Sequence, residues 1–298
     1  MLSFRKLRLE DKELLASYLQ GIDYENTELS FSNLYIWRQS WNIEICEHNG
    51  VLYFSYRHPD TGCVGHMQPV VPSGQPVMPA VRVAIADLTH RKCGLDIMGV
   101  NDEFAARFAS EEHSGYEITA DRDLAEYVYL RDDLDMLPGK KFHNKRNHIN
   151  KFDSGYAWQD LTPDLLFQCL SISSEWFQNH KDSDEVDDGE LLAIKEAVLN
   201  MDALGLVGAL LCVEGKPKAF TIGEIFRPDM ALVHFEKADP SIPGIYTFIN
   251  QQFVHRNFLC VTYVNREEDM GIPGLRKAKQ SYNPVRMINK FRIREVQT

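Results

Sequence analysis

The sequence has no apolar run long enough to cross a membrane. Its longest nearly unbroken apolar run, Leu204 to Val213, has about ten residues, whereas a membrane-spanning helix needs about 20. The N-terminal segment MLSFRKLRLEDKELL lacks the apolar stretch of a signal peptide. The six cysteines form no CxxC pair, which argues against a zinc site and against a disulfide framework. We therefore expect a cytoplasmic protein with reduced thiols and no transmembrane segment.

Motifs of several well-known enzyme classes are also absent. The chain contains none of the patterns GxGxxG, GxxxxGK(S/T), GxSxG and HExxH. The acidic segment DSDEVDDGE, which begins at Asp182, resembles a calcium-binding loop only superficially. Val186 occupies its fifth position, where an EF-hand loop has an oxygen ligand, and Asp187 its sixth, where that loop has glycine. We interpret the segment as a solvated loop and expect no metal site.

Acidic residues outnumber basic ones. The 43 Asp and Glu residues against 32 Lys and Arg residues give a formal net charge of −11. Such a surface repels nucleic acids and anionic lipids, so either partner needs a locally basic patch. With 298 residues, 44% of them hydrophobic, the chain is long enough for about two domains of about 150 residues each.

Hydrophobic periodicity predicts two units of similar order. In the first, a helix over residues 10–20 precedes a hairpin at Asn49-Gly50, a pair that strongly favours tight hairpin turns. In the second, the hairpin turn is Glu214-Gly215-Lys216. Each unit then continues with a strand, a helix, a strand, a short helix and a closing strand. The predicted closing strands contain residues 127–130 in the first unit and 287–296 in the second.

The Pro138-Gly139 pair marks the predicted domain boundary. We expect an N-terminal domain over residues 1–137 and a C-terminal domain over residues 138–298. Strands that alternate with helices at the end of each unit favour a mixed sheet with at least one parallel crossover. The predicted fold class is therefore α/β, of the α+β kind with mixed sheets.

A basic segment, residues 138–152, reverses the charge of the chain locally. It contains no acidic residue and holds Lys140, Lys141, His143, Lys145, Arg146, His148 and Lys151. In a helix, Lys141, Lys145 and His148 share one face. One interpretation is an anion site for a phosphate-bearing substrate or an RNA backbone. The other is a solvated basic helix face that pairs with the acidic segment.

A second charged cluster follows a predicted strand in YVNREEDMGIPGLRKAKQSYNP, residues 263–284. The strand ends in Asn265, Arg266, Glu267, Glu268 and Asp269, and ligands in open α/β sheets bind beyond the carboxyl ends of strands. The alternative is an exposed loop held by salt bridges. A third motif is HFEKADPSIPG, residues 234–244, where a predicted strand leads through a loop into a helix. The first N–H groups of that helix are suited to binding an anion. The alternative is a turn with a purely structural role.

Three stretches of the second half together resemble one family. They are LPGKKFHNKRNHINKF, HFEKADPSIPGIYTFINQQF and YVNREEDMGIPGLRKAKQSYNP, which cover much of residues 137–291. They resemble the phosphatidylglycerol lysyltransferase C-terminal-domain family. The resemblance implies two tandem GNAT-like acyl-N-acyltransferase domains, related to enzymes that move amino acids from aminoacyl-tRNA.

The chain departs from that family's pattern at two points. Members that modify lipids carry a large multi-spanning membrane region ahead of this domain, which is absent here and argues against a lipid acceptor. The pyrophosphate-binding loop of acetyl-CoA-using relatives is expected at residues 239–246, where only Gly244 matches it. This argues against acetyl-CoA, although related tRNA-using enzymes also lack that loop.

The resemblance implies transfer of an aminoacyl group from a charged tRNA to an amine or hydroxyl, with no bound cofactor. An amine with a pKa near 10.4 loses its proton at pH 7 at a cost of about 4 to 5 kcal/mol, so the site needs a base or a desolvated pocket. The candidate bases are Asp269, Glu236 and Glu267, and Asn265 is the candidate for orienting a reacting group.

The predicted substrate-binding residues are mostly cationic. Lys277 and Lys279 are expected to hold phosphate or stabilise the oxyanion. The donor's phosphates are expected to meet Arg266, Lys140, Lys141, Lys145 and Arg146, and the predicted set is completed by His148, Gly244 and Tyr282. Two alternatives stay open: a CoA-dependent N-acetyltransferase that takes acetyl-CoA as co-substrate, and a non-catalytic module that binds anions or RNA on the same fold.

Overall fold

The computed structural model describes residues 2–59, 61–111, 115–152, 155–179 and 188–296. Residues 182–187 of the acidic segment lie outside these ranges. The described strands are β1 (Arg5–Lys6), β2 (Glu44–His48), β3 (Val51–Arg57), β4 (Val64–Met67), β5 (Asp96–Val100), β6 (Tyr116–Ala120), β7 (Glu126–Leu130), β8 (Tyr156–Asp160), β9 (Leu206–Val213), β10 (Lys216–Arg227), β11 (Met230–Ala238), β12 (Tyr263–Asn265), β13 (Arg286–Ile288) and β14 (Phe291–Glu295).

The described α-helices are α1 (Asp11–Leu19), α2 (Phe31–Trp37), α3 (Met78–His90), α4 (Asp102–Ser110), α5 (Arg131–Met136), α6 (His143–Lys151), α7 (Leu166–Asn179), α8 (Asp188–Leu199), α9 (Met201–Leu204), α10 (Ile245–Asn257) and α11 (Pro273–Gln280). Short 3-10 helices cover Thr27–Leu29, Arg122–Leu124, Lys140–Phe142 and Pro163–Leu165. The helix predicted for the basic segment is thus a 3-10 turn followed by α6.

The chain forms two compact units, each built on one mixed sheet. The first unit comprises residues 1–126 and 288–298, and the second comprises residues 127–287. The strand order is β1-β2-β3-β4-β5-β14-β6 in the first sheet and β13-β7-β12-β11-β10-β9-β8 in the second. The strands β4 and β5 are parallel, as are β11 and β12. The prediction of mixed sheets with a parallel crossover is confirmed.

The two closing strands lie in sheets other than those expected. Strand β7, predicted to close the first half, pairs with β12 in the second sheet, with Tyr129 opposite Val264. Strand β14, predicted to close the second half, pairs with β5 and β6 in the first sheet. The chain accordingly passes between units after Glu126 and again before Ile288, whereas the expected boundary was at residues 137 and 138. A strand's alternating pattern fixes which face is buried, but it does not fix which sheet receives the strand.

A buried ion cluster in the first unit holds the segment that leads into β14. The ammonium group of Lys290, 1% exposed, lies 2.7 Å from a carboxylate oxygen of Glu28 and 2.7 Å from one of Glu126. The backbone N–H and the hydroxyl of Thr27 both donate to Glu126, at 2.9 and 2.6 Å. Buried charges are tolerated only when they are paired and hydrogen-bonded in this way.

Helix α10 packs on the second sheet and carries the core of that unit. Its buried Phe253 and Val254 contact the core cluster that contains Val264 and Tyr129. Toward its start, Ile245 and Ile249 pack with side chains of β9 and β10. The helix therefore lies beside the carboxyl ends of β11 and β12.

Candidate active site

The parallel strands β11 and β12 separate at their carboxyl ends. Residues 230–232 pair with Tyr263–Asn265, after which β12 ends while β11 continues to Ala238. Ligands in open α/β sheets bind in the crevice beyond such strand ends. This opening is the candidate site.

Ion pairs bridge the opening. The Nη2 of Arg266, from the chain after β12, lies 3.0 Å from the Oε1 of Glu236 on β11. His234 on β11 lies between two carboxylates: its Nδ1 is 2.8 Å from Glu267 and its Nε2 is 3.1 Å from Glu224 on β10. The fold thus brings Glu236 of one sequence motif together with Arg266 and Glu267 of another.

The imidazole of His234 is buried and carries a positive charge. Burial alone lowers the pKa of His234, but the hydrogen bonds and charges of Glu224 and Glu267 raise it to about 10. Burial raises the pKa of Glu267, while the charge of His234 opposes that shift. Because the Glu267 carboxylate is engaged by His234, it is a poor base toward a substrate.

We expect the stabilising contribution of His234 to fall as the pH rises from 6.5, its ordinary pKa, to about 10. Folding raises this pKa, so the benefit is complete below the unfolded value and is lost above the folded one. Between pH values of about 7.5 and 9.5, the difference in unfolding free energy between the wild type and His234→Gln should shrink by up to about 1.4 kcal/mol per pH unit. Urea unfolding of both proteins measures it, and a difference independent of pH would contradict the assignment.

Asp269 anchors the loop that follows β12. Its buried carboxylate accepts two hydrogen bonds from Arg276, at 2.9 and 2.8 Å, one from the Gly271 N–H at 2.9 Å, and one from the hydroxyl of Tyr127. Burial alone raises the pKa of Asp269, but these donors hold it well below its ordinary value. A carboxylate held this strongly in its ionised form is a poor proton acceptor.

Two further predicted residues, Asn265 and Lys279, also support this loop. The side-chain oxygen of Asn265 accepts the N–H of Glu267 at 2.8 Å and holds that residue at a φ of 56°. The ammonium group of Lys279 donates to the carbonyl oxygens of Arg266 and Glu268. Lys277 is exposed on α11. The geometry gives Asn265 and Lys279 roles in positioning Arg266.

Around Arg266 lies a polar cluster, here called the Arg266 cluster, formed by Lys145, Glu236, Asn250, Arg266 and Tyr282. The Nδ2 of Asn250, on α10, donates to Glu236 at 2.8 Å. The Lys145 ammonium nitrogen lies 3.5 Å from the centre of the Tyr282 ring, and the guanidinium carbon of Arg266 lies 4.8 Å from the same point. The side chains of Glu236 and Arg266 are 11% and 12% exposed.

Polar groups of the Arg266 cluster lack protein partners. The Nη1 of Arg266 and the Oδ1 of Asn250 are buried, and neither has a hydrogen-bond partner among the described residues. Lys145, 9% exposed, likewise makes no hydrogen bond or ion pair within the described ranges. A buried polar group left without a partner costs about 1–3 kcal/mol, so a free donor and a free acceptor on two side chains that both bond Glu236 indicate a binding site for a polar ligand.

The rest of the basic segment lies outside the Arg266 cluster. Lys140 and His148 are exposed, and burial together with Lys145 and Lys151 lowers the pKa of His148. Lys141 pairs with Asp133 at 2.7 Å. Arg146 donates to the carbonyl oxygens of Leu137 and Gly139. One face of α6 is therefore buried and the other is solvated, and both sequence interpretations stay predictions.

Groups of the protein itself accept N–H groups at the start of α3, and α6 packs closely against the start of α10. A Cβ atom on Gly244, which has a φ of 82°, would lie 2.0 Å from the carbonyl oxygen of His148. Glycine is therefore needed there for the close approach of α6. In the first unit, the carboxylate of Glu111 accepts the N–H groups of Val77 and Met78, at 2.8 and 3.0 Å. The start of α3 therefore has two of its N–H groups already bonded to Glu111.

Sequence reasoning missed Asn250 and Glu224. Asn250 lies on the buried stripe of α10, three and four residues before Phe253 and Val254. A polar residue at helical spacing from two apolar residues is a usable signal. Within the described ranges, no group of three or more His, Cys, Asp and Glu side chains is placed to hold a metal ion.

Solved structures with the same fold define the class of this protein. A conserved protein of unknown function from Bacteroides thetaiotaomicron VPI-5482 is 37% identical, with a TM-score of 0.88 over 99% of this chain and 100% of the other. L-PGS from Bacillus licheniformis is 15% identical, with a TM-score of 0.67 over 97% and 93%. A tandem GNAT protein from the clavulanic acid biosynthesis pathway is 11% identical, with a TM-score of 0.58 over 100% and 99%. The chain has a tandem GNAT-like acyltransferase fold.

The family model "Phosphatidylglycerol lysyltransferase, C-terminal" matches residues 20–294. The chain therefore belongs to this family, as the three sequence stretches predicted. No protein of curated function matches it. Family and fold together support an acyltransferase. Among the described residues, no helix combines the length and apolar character needed to cross a membrane.

Proposed function

We propose that the second unit transfers an aminoacyl group from aminoacyl-tRNA to an amine or hydroxyl acceptor. We propose that this reaction takes place in the cytoplasm. The observation that carries this proposal is the pairing of a free donor, Arg266 Nη1, with a free acceptor, Asn250 Oδ1, across Glu236. Acyl transfer develops negative charge on the carbonyl oxygen, while the attacking amine or the α-ammonium group next to that carbonyl donates N–H bonds. The two free groups match these two requirements.

The steps follow from this placement. The acceptor nitrogen or oxygen attacks the acyl carbonyl carbon, and Arg266 Nη1 donates to the oxygen that becomes negatively charged. Asn250 Oδ1 accepts an N–H of the substrate, and the ester bond to the terminal ribose of the tRNA then breaks. Binding the aminoacyl donor and the acceptor molecule in the correct relative geometry lowers the activation free energy by about 7–11 kcal/mol, more than any single side chain does.

Two features favour a tRNA donor over acetyl-CoA. The carboxylate of Glu111 accepts two N–H groups at the start of α3, and α6 crowds the start of α10 at Gly244, where a CoA pyrophosphate would be expected. Lys140, in the 3-10 turn before α6, and His148 and Lys151 on α6 are exposed and suit a phosphate backbone. The family is also named for a lysyltransferase.

The test is an incubation of purified protein with tRNA charged with a labelled amino-acid mixture and a cell extract as the acceptor pool. We expect RNase-sensitive movement of label into one of the lipid, peptide or small-molecule fractions, which also identifies the acceptor class. If intact charged tRNA and folded protein give no transfer, the proposal is wrong. Stabilisation by acetyl-CoA, about 2.7 kcal/mol at 100 times its Kd, would then favour the N-acetyltransferase.

A further inference from the structure

Lys145 belongs to the Arg266 cluster, but the steps of the proposed reaction give Lys145 no role. It projects from α6 and is 9% exposed, whereas the neighbouring Asn144 and Asn147 on the same helix are exposed. Its ammonium nitrogen lies 3.5 Å from the centre of the Tyr282 ring. An ordinary buried lysine is paired with a carboxylate, as Lys290 is in the first unit. Lys145 has no such pair among the described residues.

The surroundings of Lys145 disfavour its charged form. Burial is the largest effect, the guanidinium of Arg266 adds repulsion, and Glu236 partly compensates, so that the pKa of Lys145 is lowered to about 8. On its own helix, Lys145 faces His148, whose pKa it lowers in turn. Burial raises the pKa of Tyr282, which keeps that phenol neutral. The negative charge of Glu236 is directed first at Arg266, which it contacts at 3.0 Å.

This position suits proton transfer at the free donor and acceptor of the cluster. The Lys145 nitrogen and the Arg266 guanidinium carbon lie 3.5 and 4.8 Å from the centre of the Tyr282 ring, so both cations belong to the cluster that holds the free donor and acceptor. A general base works best when its pKa is near the working pH, and it contributes about 10²–10⁴-fold in rate. The sequence places Glu236, Glu267 and Asp269 as candidate bases, but each of these carboxylates accepts hydrogen bonds from protein donors.

We propose that neutral Lys145 is the base of the reaction, a proposal that rests on the proposed aminoacyl transfer. The attacking nitrogen or oxygen forms its bond to the acyl carbon and loses its proton to the Lys145 nitrogen. The bond between the acyl carbon and the ribose oxygen breaks, and Lys145 returns the proton to that oxygen. Lys145 thus ends the cycle as the neutral amine, and no other reactant is consumed.

The test compares two replacements. Lys145→Arg keeps a positive charge but does not release a proton, and Lys145→Gln removes the charge. We expect both to lower the rate of transfer from charged tRNA to the accepting fraction by about 100-fold, whereas a residue that acts only through its charge would tolerate arginine. The matched control is Lys216→Gln, at an exposed position of the same unit, which should keep the wild-type rate.

The pH profile and chemical rescue separate this role from a structural one. For the wild type, the transfer rate at a substrate concentration well below KM should rise with pH to a plateau, with a midpoint near 8. This pH-dependent rise, the pH limb, should be absent in both variants.

In Lys145→Ala, added trimethylamine should restore part of the rate, because it accepts protons but forms no stable acyl product. Trace reductive methylation of the wild type, followed by mass spectrometry, should titrate Lys145 near pH 8, below the ordinary lysine value of about 10.4.

The outcomes distinguish the two proposals. If the wild type transfers label but Lys145→Arg retains the rate and the pH limb, Lys145 is not the base and the proposed function stands. A methylation midpoint of Lys145 at the ordinary lysine value overturns the role of Lys145 as well. If the wild type transfers no label at all, the proposed function fails, and the role of Lys145 fails with it.

Discussion

Replacement of Lys290 by methionine is expected to lower the free energy of unfolding of the first unit by about 3–5 kcal/mol. Lys290 is the buried cation that faces Glu28 and Glu126, each at 2.7 Å. Without it, two carboxylates remain buried and close together, and the N–H and hydroxyl of Thr27 serve only one of them. Removing one partner of a buried ion pair costs far more than the pair itself contributes, because the remaining charge is left without compensation.

Chemical unfolding followed by circular dichroism measures the change, on the transition that includes the first unit. The matched control is Lys6→Met, at an exposed lysine of the same unit, with an expected effect within about 0.5 kcal/mol. In a triple variant that also carries Glu28→Gln and Glu126→Gln, part of the loss should be recovered, since no unpaired charge remains. A loss below about 1 kcal/mol for Lys290→Met would mean that the cluster is not a buried ion network.

Replacement of Arg266 by glutamine is expected to lower kcat for aminoacyl transfer by about 100- to 1000-fold, the usual effect of losing one oxyanion donor. The unpaired Nη1 is the group that meets the carbonyl oxygen, and Nη2 is already bound to Glu236. Arg266→Lys keeps the charge but has no second donor in the fixed geometry of a guanidinium, so it should restore little of the rate. A change in kcat with little change in KM would indicate an interaction made mainly in the transition state.

Single-turnover transfer from charged tRNA gives this rate, and thermal unfolding confirms that each variant is folded. Arg256→Gln, at an exposed arginine on α10, serves as the control and should leave kcat within about twofold. If Arg266→Gln retained more than a third of the wild-type kcat, Arg266 would have no part in stabilising the oxyanion. The assignment of the Arg266 cluster as the reacting site would then be wrong.

The sequence predicts local elements of this fold better than their assembly. The pairs Asn49-Gly50 and Glu214-Gly215 mark the observed hairpins β2–β3 and β9–β10, because tight turns depend on a few adjacent residues. Strands β7 and β14 are predicted as strands, but the sheet that each joins is decided by contacts distant in sequence, such as Tyr129 with Val264. The domain boundary was misplaced for the same reason.

The candidate site shows a similar division between residue type and role. The motifs contain Lys145, Glu236, Arg266 and Tyr282, because charged and aromatic residues beside strand ends are visible in a sequence. The separate roles of these residues are not visible in the sequence, because burial decides them. Lys145 is buried in the Arg266 cluster, while Lys140, five residues earlier, is exposed. Asn250 comes from a helix outside the charged motifs and completes the cluster only through the packing of α10.

Strand β14 has a consequence for biosynthesis. The ribosome makes the chain from its N-terminus, yet the first sheet needs residues 291–295 between β5 and β6, and its ion cluster needs Lys290. The unit that is synthesised first is therefore completed last, after every residue of the second unit has left the ribosome. During translation the facing edges of β5 and β6 lack their shared partner, and an unpaired strand edge is prone to wrong pairing. The nascent first unit is thus the unit that waits longest for its last strand during synthesis.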